Sequence, residues 1–298
     1  MRRGAGFPVW VALLAVSASA AAPPAAPVPV RTRVDQAFEA ARRGDFGPSS
    51  DLARLGGTAV PFIAPYAKDG SEEVRRQAVV LLGLSGDPQA LAPLAGALQD
   101  GSAEVRERAV TALYDRFPPQ KVAAEPRAAS GLRAVAVRDR SAAALLLLSY
   151  LPGKETILTL EQACVEEPAV KLRPWTRPVP PSLPAAVALS RIGEAAGRAR
   201  LLRALDEGRL ETMEFVLLAL REVDTPEVLA ALGKKALSDE REIGGGAPSG
   251  ATPPRRVCDL AVTQLVRHLR LKVGFSPSDS RRYTASEIGQ VLGAMKLR

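Results

Sequence analysis

The chain has 298 residues, 40 Lys and Arg against 32 Asp and Glu, and a formal net charge of +8. That length suffices for one large domain, and the aromatic content of 4% beside abundant Ala and Leu suits short helices packed at close range. No stretch after the N-terminus is long and apolar enough to span a bilayer, where about 20 residues are needed.

The N-terminus reads as an export signal. Arg2 and Arg3 are followed by a short apolar run, Val9 to Val16, and by the small residues Ala18-Ser19-Ala20. Charge, apolar core and small-x-small site in this order predict a signal peptide over residues 1–20, a mature chain starting near Ala21 and a periplasmic or secreted product. No Cys follows the site, which argues against a lipid-modified end. Residues 21–33 form an Ala/Pro-rich lead-in.

From residue 34 to 237 the chain reads as stacked helices. Val34 to Arg43, Ser50 to Leu55 and Val60 to Lys68 form an opening unit. The stretch from Asp69 to Leu82 then returns, thirty-one residues later, from Asp100 to Leu113, with nine of fourteen positions identical. A fixed period in this range marks a solenoid, in which each helical hairpin packs on the next. Ser71 and Ser102 stand at helix N-caps, with Glu72, Glu73 and Glu104 in the first turns near the positive helix end. Val74, Ala78, Leu81 and Leu82, and again Val105, Ala109 and Leu113, line one helix face. Asp87-Pro88 restarts the chain as a cap followed by a proline in the first turn, and Leu91, Leu94 and Leu98 face the same core.

The Asp-Gly-Ser-x-Glu-Val-Arg stretches, with Ala78 and Leu82 or Ala109 and Leu113 and the Gly86-Asp87-Pro88 link, resemble the HEAT-like repeat family, in particular its short bacterial form named after phycobilisome lyases. The resemblance is strong from about Asp51 to Asp115 and fades elsewhere. It implies an all-α solenoid in which Asp69, Arg75, Asp100 and Arg106 are structural and tie adjacent repeats together.

Weaker copies follow: Ser141 to Tyr150 with Lys154 to Glu166, Ala185 to Ile192 with Ala195 to Leu205, and Thr212 to Val223 with Glu227 to Leu237, where Thr225 caps and Pro226 starts the helix. Three interruptions break the array. Pro118 to Ser130 holds the expected second helix only in part. A Pro-rich insertion at 168–184 cannot be helical through its length. Residues 238–256, with Gly244-Gly245-Gly246 and Pro253-Pro254, read as a mobile loop. A C-terminal helical cap, 257–298, contains a strong helix from Val257 to Leu271 and a Thr284-x-x-Glu287 capping box. The whole makes about fifteen helices in six to seven hairpins.

Charge is unevenly placed. Arg255 to Arg298 holds nine Lys and Arg against three acidic residues, so this end carries the basic excess of the mature chain. Arg281 and Arg282 are candidates for contact with an anionic polymer or surface; the alternative is a solvated helix face. Trp175, between Arg173 and Arg177 in the Pro-rich insertion, either anchors a partner or folds back over a helix pair. Cys164 and Cys258 are either small buried apolar residues or a long-range disulfide.

Nothing assigns catalysis, a cofactor or a metal. His268 is the only histidine and reads as an ordinary helix-face residue, and the triple glycine lacks the Lys-Ser/Thr sequel of a phosphate loop. The reading that follows is an exported, non-catalytic scaffold binding another protein along its concave face. Two alternatives stand beside it: a binder of anionic polymers through the basic end, and a lyase-like or other enzyme on a HEAT-like fold.

Overall fold

A computed structural model describes residues 28–151, 153–165, 179–243 and 254–296. Within them the chain is an all-α solenoid. The helices are α1 (Val30–Arg42), α2 (Gly47–Ser50), α3 (Val60–Ile63), α4 (Glu72–Ser85), α5 (Leu91–Ala97), α6 (Ala103–Arg116), α7 (Pro119–Ala123) and α8 (Ala128–Arg138). They continue with α9 (Ala142–Leu148), α10 (Lys154–Val165), α11 (Ser182–Ile192), α12 (Ala195–Glu207), α13 (Leu210–Leu218), α14 (Pro226–Ala236), α15 (Val257–Leu269) and α16 (Ala285–Lys296). Tight 3-10 turns fill several of the joints.

Two layers result. One runs through α4, α6, α9, α11, α13 and α15; the other through α5, α8, α10, α12, α14 and α16. The shared apolar core includes Val74, Ala78, Leu81, Leu82, Val105, Ala109 and Leu113 from the first layer and Leu91, Leu94 and Leu98 from the second. Small residues set the spacing: a Cβ on Gly83 of α4 would stand 2.6 Å from the Ala112 Cβ of α6.

The first layer is the inner one. Arg221, just after α13, reaches Tyr114 near the end of α6, 107 positions earlier, so the stack curls sharply on this side. The inner layer is also not an open groove through its middle. All seven residues of α9 are buried, as are Ser182 to Ser190 of α11. Helices apolar all round belong inside a structure, and Ala142 to Leu148 has that composition.

Several helix ends depart from the sequence reading. The Ser71 hydroxyl makes no capping bond; instead Asp69 Oδ1 accepts from the Ser71 N–H at 2.9 Å, fixing the turn before the helix. Ser102 does cap, accepting from Val105 N at 3.5 Å, and Asp100 Oδ1 accepts from the Ser102 N–H at 2.8 Å. Thr225 makes no capping bond either, because its hydroxyl lies 3.2 Å from that of Ser190. Asp87 accepts from Gln89 N at 2.8 Å, and Thr284 and Glu287 form their reciprocal box. Gly86, Gly193 and Gly208 take the left-handed conformation that closes α4, α11 and α12.

The described parts of the interruptions hold more regular structure than their composition suggests. Pro118 to Ser130 contains α7 and the start of α8, and α1 begins at Val30, inside the stretch read as lead-in. Pro184 lies within the first turn of α11, where a missing N–H costs no intrahelical bond. The ends of the glycine-rich stretch form a two-stranded antiparallel ribbon, β1 (Glu242–Ile243) with β2 (Arg255–Arg256), in which Glu242 pairs with Arg256 and Ile243 with Arg255. The signal-like N-terminus, and Arg173, Trp175 and Arg177, lie outside the described residues.

Candidate functional site on the inner edge

Two polar systems run along the stack. The first is a ladder of arginines and aspartates between repeats. Arg75 on α4 donates from Nε to Asp100 Oδ2 at 2.7 Å and from Nη2 to Asp100 Oδ1 at 3.1 Å. Its Nη1 donates to the carbonyls of Asp69 and Gly70 at 2.9 and 3.2 Å. Arg106 on α6 repeats the pattern, gripping Asp139 at 2.6 and 2.5 Å and the carbonyls of Asp100 and Gly101 at 2.8 Å each. Arg42 makes the preceding rung to Asp69. The Arg75 and Arg106 guanidiniums thus each clamp the loop before their own helix and the aspartate of the next unit, a bidentate geometry lysine does not reproduce. The Arg42 guanidinium holds the Asp69 carboxyl below its ordinary value. Burial pushes Asp100 upward, but the Arg75 side chain and the Ser102 N–H outweigh it and leave the net direction downward.

The second system gathers where the C-terminal ends of the inner helices converge. Glu222 is fully buried, and its Oε1 accepts from Arg221 Nε at 2.7 Å. Arg221 Nη2 donates to the Tyr114 carbonyl at 2.8 Å, and its guanidinium lies 3.8 Å from the centre of the Tyr114 ring. One step along, the Arg191 guanidinium sits 4.1 Å over the Tyr150 ring and donates to Asp224 at 3.3 Å. Burial pushes the Glu222 carboxyl above its usual range, against the pull of Arg221. Burial likewise raises the Tyr114 and Tyr150 phenols. On α15, burial lowers the His268 pKa, against the pull of the Val223 backbone and Asp224.

The chemistry of this edge is recognition. Two guanidinium groups are held over aromatic rings at 3.8 and 4.1 Å, which restricts their placement before any partner arrives. The Arg221 side chain remains 38% exposed and that of Arg191 21%, so their free N–H edges are open to a carboxylate or phosphate. Glu222, by contrast, has no solvent-accessible surface through which a substrate could reach it.

The sequence-derived candidates fare differently. Arg281 and Arg282 are exposed but already engaged. Arg281 pairs with Glu287 and lies over the Phe275 and Tyr283 rings. Arg282 donates to Glu242 at 2.7 Å and to the Pro254 carbonyl at 2.7 and 3.0 Å. Three further arginines at this end are paired too: Arg256 with buried Asp259, and Arg255 and Arg267 with Asp279. Cys164 and Cys258 are both free thiols. Tyr114, Tyr150, Arg191, Arg221 and Glu222 escaped sequence reasoning because no fixed spacing links them. One signal was available: the chain has only four tyrosines, and each carries an arginine over its ring, at 5.6 Å for Tyr66, 3.8 Å for Tyr114, 4.1 Å for Tyr150 and 5.2 Å for Tyr283.

Comparison with known proteins agrees with this architecture. Residues 60–149 match the family model of the HEAT repeats. The fold is an α-solenoid of the HEAT-like kind. A chain from the complex of CpcE and CpcF of phycocyanin lyase from Nostoc sp. PCC7120 superposes with a TM-score of 0.50, at 17% identity, over 92% of this chain and 97% of that one. Human deoxyhypusine hydroxylase, solved in complex with glycerol, aligns over 90% of this chain and 98% of its own at 18% identity, with a TM-score of 0.32. No curated protein sequence matches. Among the described residues no helix is long and apolar enough to cross a membrane, and no group of three potential metal ligands occurs.

Proposed function

We propose that this chain is an exported, non-catalytic solenoid scaffold that binds a protein partner, with the inner edge at Tyr150, Arg191 and Arg221 as its contact surface. The observation that carries this reading is the pair of guanidinium groups stacked on tyrosines across the stack. Such preorganised arginines and aromatic rings are the residue types that dominate interface energetics. The similar phycocyanin lyase chain comes from a complex of two different proteins, which is in keeping with a solenoid that works through a partner. The inaccessibility of Glu222 weighs against a catalytic role for the edge. Internal pairing of Arg281 and Arg282 weakens the alternative of an anionic-polymer surface at the basic end. Export rests on the sequence of residues 1–20.

Two measurements test the reading. N-terminal sequencing of the product recovered from the periplasm or medium is expected to begin near Ala21; an intact Met1 on a product confined to the cytoplasm refutes export. Affinity capture with the mature chain is expected to recover a stoichiometric protein that is lost on Arg191→Glu with Arg221→Glu. Capture unaffected by both substitutions refutes the assignment of this edge.

A further inference from the structure

The last three helices border an open, mainly apolar hollow. Its volume is about 670 Å³, and it opens between α14, α15 and α16. This falls within the roughly 300–1,000 Å³ typical of small-molecule sites, which are mainly apolar with a few placed polar groups. Leu229, Leu269, Leu292 and Met295 supply an apolar lining, and each is only partly buried. The opening exists because α16 leans on α14 at one close point: Met295 Cε lies 2.5 Å from where a Cβ on Gly233 would stand.

Two exposed lysines, Lys234 and Lys296, complete the lining. Neither forms an ion pair among the described residues, whereas the adjacent Lys235 is paired with Asp206 at 2.8 Å. This contrasts with the arginines of the same end, which are mostly committed to carboxylates. An apolar hollow with two unpaired ammonium groups is complementary to one class of ligand: an extended hydrocarbon chain ending in an anion.

We propose that the α14–α15–α16 cavity binds a free long-chain carboxylate, with the chain against Leu229, Leu269, Leu292 and Met295 and the carboxylate between Lys234 and Lys296. Each CH₂ added to the chain buries more apolar surface, so affinity should rise with chain length, while the lysines select the sign of the head group. The assignment is independent of the inner-edge scaffold reading, since it involves none of the same residues.

The test is calorimetric titration of the full chain with dodecanoate below its micelle-forming concentration, beside dodecyltrimethylammonium and hexanoate. The expected result is one saturable dodecanoate site per chain, with hexanoate and the cation at least tenfold weaker. Lys234→Glu with Lys296→Glu should weaken dodecanoate at least tenfold. Ala230→Trp, at an exposed position on the lining, should fill the hollow and abolish binding without unfolding the chain, as far-ultraviolet circular dichroism would verify. Absence of a saturable site, equal affinity for anion and cation, or full binding by folded Ala230→Trp protein each overturns the proposal. So does sedimentation with phosphatidylglycerol vesicles in the absence of dodecanoate binding, which would identify a bilayer surface instead.

Discussion

Replacing Asp139 with Ala isolates the energetics of the inter-repeat ladder. The Arg106 side chain is 5% exposed and that of Asp139 14%. Removing the carboxylate leaves the guanidinium with only the carbonyls of Asp100 and Gly101 as acceptors. Breaking a buried ion pair from one side costs about 3–5 kcal/mol. The residual exposure and surviving carbonyl bonds place this case near the lower bound, about 3 kcal/mol. At about 2–4 °C per kcal/mol for chains of this size, Tm should fall by about 6–12 °C. The control is Glu104→Ala, which removes a carboxylate 44% exposed with partners on Arg76 and Arg108 and should cost little, as exposed ion pairs do. Thermal melts followed by circular dichroism compare the two, and hydrogen exchange should localise the Asp139→Ala loss to α6 and α9, since repeats couple to nearest neighbours. Pairing Arg106→Met with Asp139→Leu should recover much of the loss, because two apolar groups leave no orphaned charge. A shift for Asp139→Ala no larger than for Glu104→Ala would refute the ladder as a source of stability.

Three further outcomes follow from the same structure. Because burial raises the folded-state pKa of Glu222, the native chain holds its proton to higher pH than the unfolded chain, whose value is about 4.3. Wild type should therefore lose stability relative to Glu222→Gln as pH rises above about 4, with no change in their difference below that; parallel stability curves across the range would contradict the assignment. Gly83→Ala should destabilise by about 1–3 kcal/mol, since its Cβ would lie 2.6 Å from Ala112, whereas Gly96→Ala, with nothing within 4 Å, should stabilise by about 0.5–1 kcal/mol; melts showing the same sign for both would be incompatible with the described packing. Reversing Arg281 and Arg282 to Glu should lower Tm and speed hydrogen exchange at Glu242–Ile243 and Arg255–Arg256, because the new charges would face Glu287 and Glu242; unchanged exchange there would count against the observed pairing.

What was legible in the sequence was what repeats. The step from Asp69 to Asp100 keeps Arg75 and Arg106 in register, so the layer order and the faces of α4 and α6 could be read from spacing. The next rung was harder to see. Asp139 follows Asp100 by thirty-nine residues, eight more than the preceding step of thirty-one, because α7 is inserted between α6 and α8. Arg140 also replaces the glycine of the Asp-Gly-Ser turn and adopts a positive φ of 54°. The inner edge was not legible, because it is made by curvature. Tyr114 and Arg221 meet only when the two intervening inner-layer helices, α9 and α11, bring the ends of α6 and α13 together, and no local pattern encodes that approach.

The fate of the basic residues follows from the same curvature. A straight stack would leave its arginines solvated and its concave face open. Here the inner ends meet, and arginines are drawn onto tyrosines: Arg221 on Tyr114 and Arg191 on Tyr150; others, such as Arg256 with Asp259, pair locally at a helix start. Formal charge at the C-terminal end therefore overstates what a polyanion would encounter, since paired surface arginines contribute little long-range field once screened. Recognition by this solenoid is better sought where a cation is held in place yet keeps an open edge. Arg191 and Arg221 meet that condition over their tyrosine rings, while Lys234 and Lys296 are open because they lack acidic partners among the described residues. The two places differ in kind. The first is a set of guanidinium groups seated over tyrosine rings, suited to a protein's carboxylates; the second is an apolar hollow suited to a flexible chain. Substitutions at one should leave the other unchanged, since they lie at separate places on the stack with no residue in common.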